Sequence, residues 1–379
     1  DHRDLHSFPT RRSSDLLALA FALPFLSPHV GFVASLERTV HDVYRFALAE
    51  RTGYDPDIAL VVYDDEVARG AQRTSPVDRA MLAKALTAID SAKPRAIGLD
   101  MAFVQQTDDL PALIAALRAI EARIFVIYAD PEGDRATYWS PVVDAAARAD
   151  QDRFWEALRA SGVRPASPAI GTGPARIART WPRTGEGGAP LLAHALAQTP
   201  QLLQDYRGAI RYRLLAPDRL ASAKTDIDAA TGMFPRYPID LLSDDVFAGD
   251  FLPALAGRIV LIGADTFNTD QIATPISRVG GAPRSAGVAV HAHMVRQALD
   301  REFPPPVGFA LVALLALIVV VSAALLALIE RRLFLLLGAA SAQVVALVAL
   351  PFAVHGAGFD ILELPLVGLI AWLLFGPKG

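Results

Sequence analysis

Residues 57–66 read DIALVVYDDE. The apolar run from Ile58 to Tyr63 is unbroken, and the acids Asp64, Asp65 and Glu66 close it. A strand with one wet face alternates polar and apolar residues. An unbroken run predicts a strand covered on both faces, as in a parallel sheet between two helix layers. The pattern repeats downstream. Pro76 opens a helical stretch in which Met81, Leu82, Ala85, Leu86 and Ile89 recur at helix spacing. Arg95 to Leu99 reads as a second strand ending in Asp100, Leu110 to Ala122 as an amphipathic helix, and Ile124 to Tyr128 as a third strand. Buried strands alternating with helices predict an α/β domain with a mixed, largely parallel sheet and flanking helices.

Further along, the signal weakens. Residues 130–190 are rich in Ala, Arg, Gly and Pro and show no clear period. Leu191 to Leu203 reads as a helix and Ala209 to Leu215 as a strand. Order returns at Gly257 to Gly263, a buried strand between glycines, and at Ala286 to Leu299, which passes from GVAV into a helix. Pro304, Pro305 and Pro306 then predict a stiff, extended junction.

The flanks are apolar. Val307 to Ile329 carries no charge and is long enough to span a bilayer, which needs about 20 residues. Leu333 to Val354 and Ile361 to Phe375 complete a predicted bundle of three membrane helices over residues 307–376. A shorter apolar segment, residues 17–34, reads as a first membrane helix. Arg331 and Arg332 lie between two spans, whereas the loop from His355 to Asp360 has no Lys or Arg. Positive loops stay inside, so the C-terminus is expected in the cytoplasm and residues 35–306 outside it, on an inner (plasma) membrane protein. Asp1 to Leu16, DHRDLHSFPTRRSSDL, matches a common short-read sequencing adapter in one reading frame. Residues 1–16 are therefore expected to be an assembly artefact, and the first span truncated.

Composition narrows the function. The 379 residues are 53% hydrophobic and carry a net charge of −4, with a mean hydropathy of +0.32. No cysteine is present, which excludes disulfides, thiolate metal sites and Cys nucleophiles. Beyond the discarded leader no long basic run occurs, so nucleic-acid binding has no electrostatic support. A P-loop, a GxGxxG cradle and a GxSxG elbow are all absent from the sequence.

Two groups of residues are candidates for ligand binding. Asp64, Asp65 and Asp100 follow predicted parallel strands, and open α/β sheets bind ligands outside their carboxyl ends. They could hold a cation or accept bonds from a cationic or hydroxyl-rich ligand; equally, Asp caps helices and closes turns. Asp270, Thr274 and His291 form a second group after the Val260 strand, again readable as a polar loop with internal Asx bonds. His291 and His293 suit zinc poorly, since residues two apart do not share a helix face and no HExxH accompanies them.

The ordered set of segments resembles the second type of the CHASE extracellular sensory domains of bacterial transmembrane receptors. LERTVHDVYRF (Leu36 to Phe46) resembles the family's membrane-exit segment, and DIALVVYDDE and KPRAIGLDMAF its first two strands. GRIVLIGADTFNTDQIATPI (Gly257 to Ile276) and GVAVHAHMVRQAL (Gly287 to Leu299) resemble its C-terminal signature. The resemblance implies a sensory input module whose cytoplasmic effector, a nucleotide cyclase, histidine kinase, Ser/Thr kinase or diguanylate cyclase, follows the last span and is missing after residue 379. On this reading the chain itself is not an enzyme. The alternative is a membrane-anchored extracytoplasmic hydrolase using Asp64 and Asp100. Expected partners are a small-molecule or envelope ligand, the lipid bilayer and a second copy in a homodimer. No nucleic acid, cofactor or metal is expected.

Overall fold

The computed structural model describes residues 31–72, 77–128, 138–139, 145–172, 176–182, 189–216, 218, 232–267, 271–281 and 284–304. The chain divides into two compact units, Asp1–Tyr44 with Pro304–Gly379, and Arg45–Phe303. In the first, the described backbone includes helix α1 (Gly31–Ala47), whose last residues fall in the second. Among the described residues no helix is long and apolar enough to cross a membrane. Residues 17–30 of the predicted first span, and the predicted bundle over 307–376, lie outside the described residues.

The second unit is built on a six-stranded sheet. Its strands are β1 (Ile58–Asp64), β2 (Ala96–Asp100), β3 (Ile124–Ile127), β4 (Arg164–Ala166), β5 (Arg236–Pro238) and β6 (Ile259–Asp265), in the order β5-β1-β6-β2-β3-β4. Every neighbouring pair is parallel. Helices α2 (Asp65–Gly70), α3 (Arg79–Ser91), α4 (Leu110–Ala119), α5 (Ala145–Leu158), α6 (Leu192–Ala197), α7 (Ile239–Ser243), α8 (Pro275–Gly280) and α9 (Gly287–Leu299) accompany it.

The unbroken apolar runs are explained by burial on both faces. Ile58, Leu60 and Val62 of β1 and Ile259 and Leu261 of β6 join Leu192 and Leu196 of α6 and Val288, Ala292 and Val295 of α9 in one core. Ala59, Val61 and Tyr63 alternate to the other face, with Val260 and Ile262. There they meet Leu82 and Leu86 of α3, Leu113 of α4, Phe154 of α5 and Leu242 of α7. Two glycines let helices approach the first face. A Cβ on Gly263 would stand 2.6 Å from Val288 Cβ, and one on Gly98 would stand 2.6 Å from Leu196 Cδ1.

The parallel α/β expectation holds for the central sheet, with short antiparallel pairings beside it: Ile170–Thr172 joins Tyr138–Trp139 and Ala178–Thr180, and Gln271–Ile272 joins Ser285–Ala286. Several local expectations are corrected. The predicted helix Leu191 to Leu203 is helical only over α6, because Gln198 turns left-handed at φ 53° and Pro200 follows. A 3-10 turn, Gln201–Leu203, replaces the rest. Of the predicted strand Ala209 to Leu215, Leu214–Leu215 pairs in parallel with Arg51–Thr52, and Ala209 makes an isolated antiparallel bridge to Thr180. GVAV, expected to lead into the helix, belongs to α9 itself. The unpatterned stretch holds a long helix, α5, and the edge strand β4.

Candidate functional site

The carboxyl ends of β1, β6 and β2 lie side by side. The pairing sets Asp265 beside Asp64 and Gly263 beside Asp100. Asp64 and Asp100 are thus separated by β6, roughly 10 Å across the sheet at two strand spacings. The geometry does not bring them together as a catalytic carboxylate pair.

Each acid has a different neighbourhood. Asp64 is the N-cap of α2, its Oδ1 accepting from the amides of Glu66 at 3.0 Å and Val67 at 2.9 Å. The exposed Asp65 accepts from the Phe267 amide at 3.1 Å, tying the start of α2 to the loop after β6. Asp265 forms an ion pair with Arg236 of β5 and accepts from Gln271 Nε2 at 2.8 Å. Asp100 turns inward. Burial pushes its carboxyl up to about 7, and its Oδ1 lies 3.8 Å from His291 Nε2 on α9. His291 is 1% exposed. Burial, against a backbone contact with Pro168, lowers its imidazole to about 4.

Of the second predicted group, Asp270 lies outside the described residues. Thr274 is a helix cap: its hydroxyl accepts from the Ser277 amide at 3.1 Å, and Ser277 Oγ accepts from the Thr274 amide at 2.9 Å. His291 therefore joins Asp100 rather than Thr274 in its described contacts. His293, two residues on, packs between Tyr212 and Phe234 instead. Among the described residues no group of three or more metal-ligating side chains could hold a metal.

Helix α9 runs between the carboxyl and amino ends of the central strands. Near its start Val288 sits against Gly263, at the carboxyl end of β6. Near its end Arg296 binds Asp57, just before β1, at 2.7 Å, and Asp300 at 3.0 Å. At thirteen residues it is about 20 Å long. Beyond it the two chain ends of this unit meet. Arg213 reaches Glu50 at 2.9 Å, Asp300 at 2.8 Å and Glu302 at 3.4 Å. Buried Gln297 accepts from Trp181 Nε1 at 2.9 Å and the Arg211 amide at 3.0 Å, and donates to the carbonyls of Ala209 and Glu302.

The profile of one protein family, the CHASE2 domain, matches residues 16–328. The chain belongs to the CHASE2 domain family. No curated protein and no solved structure matches the chain. CHASE2 domains are sensory domains, and the match extends past the α/β unit into the predicted spans on either side.

The CHASE2 chain hides much of this arrangement from sequence reading. Asp265 carried the same signal as Asp64 and Asp100, an acid closing an apolar run, and could have been grouped with them. Arg213 and Gln297 carried none. They matter because loop residues 209–213 fold against the end of α9, a contact with no local pattern.

Proposed function

We propose that residues 35–306 are the extracytoplasmic input module of a transmembrane receptor. The membrane helices 17–34 and 307–376 would anchor it as a homodimer and couple it to a cytoplasmic cyclase or kinase. A small-molecule or envelope ligand is assigned to the carboxyl edge of the sheet, around Asp65 and Asp100. A ligand with unequal affinity for two conformations would shift their populations. The observation that carries this reading is Arg213, which joins the incoming chain at Glu50 to the outgoing chain at Asp300 and Glu302. A rearrangement passed along α9 would move both connections to the membrane at once.

The test is a chimera in which an adenylate cyclase catalytic domain follows Gly379, expressed in cells without their own cyclase. Cyclic AMP output requires a cytoplasmic C-terminus. Replacing Pro304, Pro305 and Pro306 by Gly, Ser and Gly should change that output without changing the amount of folded protein, because Gly/Ser linkers behave as flexible coils. Equal output from both chains would reject the coupling.

A further inference from the structure

Helix α6 carries a histidine that belongs to no motif. His194 is 1% exposed, and among the described residues neither ring nitrogen has a hydrogen-bond partner. Its ring stacks on Trp181 with centroids 4.6 Å apart, and lies 5.9 Å from Phe303. Phe303 also meets Trp181 at 5.4 Å and Tyr206 at 5.1 Å. Three aromatic side chains thus surround the last residue of the unit, next to the junction that leads to the predicted membrane bundle.

A neutral imidazole fits this place and a charged one does not. Protonation would add a second N–H with no acceptor to receive it, in a site closed to water. The attraction of a charged ring for Trp181 is smaller than the cost of burying an unpaired charge. The groups around it do not help. Arg207 is positive and donates to the Pro182 and Gln204 carbonyls. Tyr206 gives its hydroxyl to the Ala209 carbonyl. Arg123 caps the Leu196 carbonyl at the end of α6. Glu302, beside Phe303, is held by Arg211 at 2.7 Å and by Arg213. Burial first, then Arg207, hold the imidazole down to about 4.

We propose that His194 makes the Phe303 contact an acid-released latch. Neutral, it docks the outgoing chain against Trp181 and Tyr206; protonated, it lets Phe303 leave the cluster. Once undocked and wet, the imidazole returns to its ordinary value near 6.5, so acidification favours the open form by up to roughly a hundredfold between about pH 6.5 and 4. The proposal extends the sensory reading by naming the proton as an input. It is tested on docking itself, so its failure leaves that reading standing, and failure of the cyclase chimera leaves the latch standing.

The experiment places 4-fluorophenylalanine at position 303 of the full chain in lipid nanodiscs and follows its fluorine resonance from about pH 7.5 to about 4.5. A second, solvent-exposed resonance should grow as the pH falls. In His194→Gln, which cannot be protonated, the docked resonance should persist at every pH. His194→Phe, apolar throughout, should behave the same way and serves if the Gln variant folds poorly. A single unchanged resonance in the native chain would overturn the latch without any variant. So would an identical acid transition in a folded variant.

Discussion

His291 Nε2 stands 3.8 Å from Asp100 Oδ1, across the contact between α9 and the sheet. That is beyond hydrogen-bond range. With Asp100 pushed up to about 7 and His291 down to about 4, both side chains are neutral between those values and the carboxyl keeps the proton. The pair is a buried neutral contact, not a salt bridge, and it places two ionisable groups where the candidate site meets the helix that leaves it.

Stability should fall on acidification. His194, His291 and His293 are lowered by burial to about 4, 4 and 3 from 6.5. The unfolded chain therefore binds more of these protons between about pH 6.5 and 4, and stability is lost as the pH drops through that window. Asp100, raised from 3.8 to about 7 by burial, has the opposite sign: it costs stability as the pH rises toward 7. Asp55, raised chiefly by burial, works in the same direction as Asp100. Three histidines outweigh the two acids. The denaturation free energy should fall by about 1.4 kcal/mol per pH unit for each net proton. Asp100→Asn should steepen the acid limb and remove the loss near neutrality. A denaturant midpoint that stays flat from about pH 6.5 to 4.5 would contradict this.

Arg213→Met should loosen the chain ends. The guanidinium serves Glu50, Asp300 and Glu302 and is 14% exposed. Removing it takes the cation from Glu50 and leaves Asp300 to Arg296 and Glu302 to Arg211, a loss of about 1 kcal/mol. Hydrogen exchange should rise first at residues 48–52 and 299–303, with the sheet still protected. Uniform loss of protection across β1 and β6 would instead make Arg213 a general stability residue.

Gly263→Ala should be costly although a methyl group is small. The added Cβ would meet Val288 Cβ at 2.6 Å, so α9 must shift away from β6. Overpacking of this kind costs about 1–3 kcal/mol. Pairing it with Val288→Gly, which removes the clashing Cβ itself, should recover part of the loss, which a double-mutant cycle on the denaturation midpoint measures. Strict additivity would show that the two residues do not share the contact.

Asp64→Ala should remove a helix cap and nothing more. Its carboxylate satisfies two amides at the start of α2, and losing such a cap costs about 1 kcal/mol. Asp64→Ser should restore most of it. An altered cyclase response in a chimera bearing Asp64→Ser, with stability restored, would return Asp64 to the ligand site.

The apolar runs of β1, β2, β3 and β6 were legible in the sequence because a strand buried on both faces must be apolar at every position. Helix α3 was legible through its 3.6-residue spacing. The edge strands were not. Arg164–Ala166 and Arg236–Pro238 each include a proline and are only partly buried, as edge positions allow. They are strands only because β3 and β1 offer free edges to pair with. Insertion of β6 between β1 and β2 likewise depends on chain far along the sequence. The three strand-closing acids look alike in sequence, yet Asp64 caps a helix, Asp265 pairs with Arg236 and Asp100 is buried near His291. Periodicity is a local property of the chain and can be read along it. The charge state and partners of a side chain depend on water excluded by distant residues, and only the tertiary structure brings those residues into place.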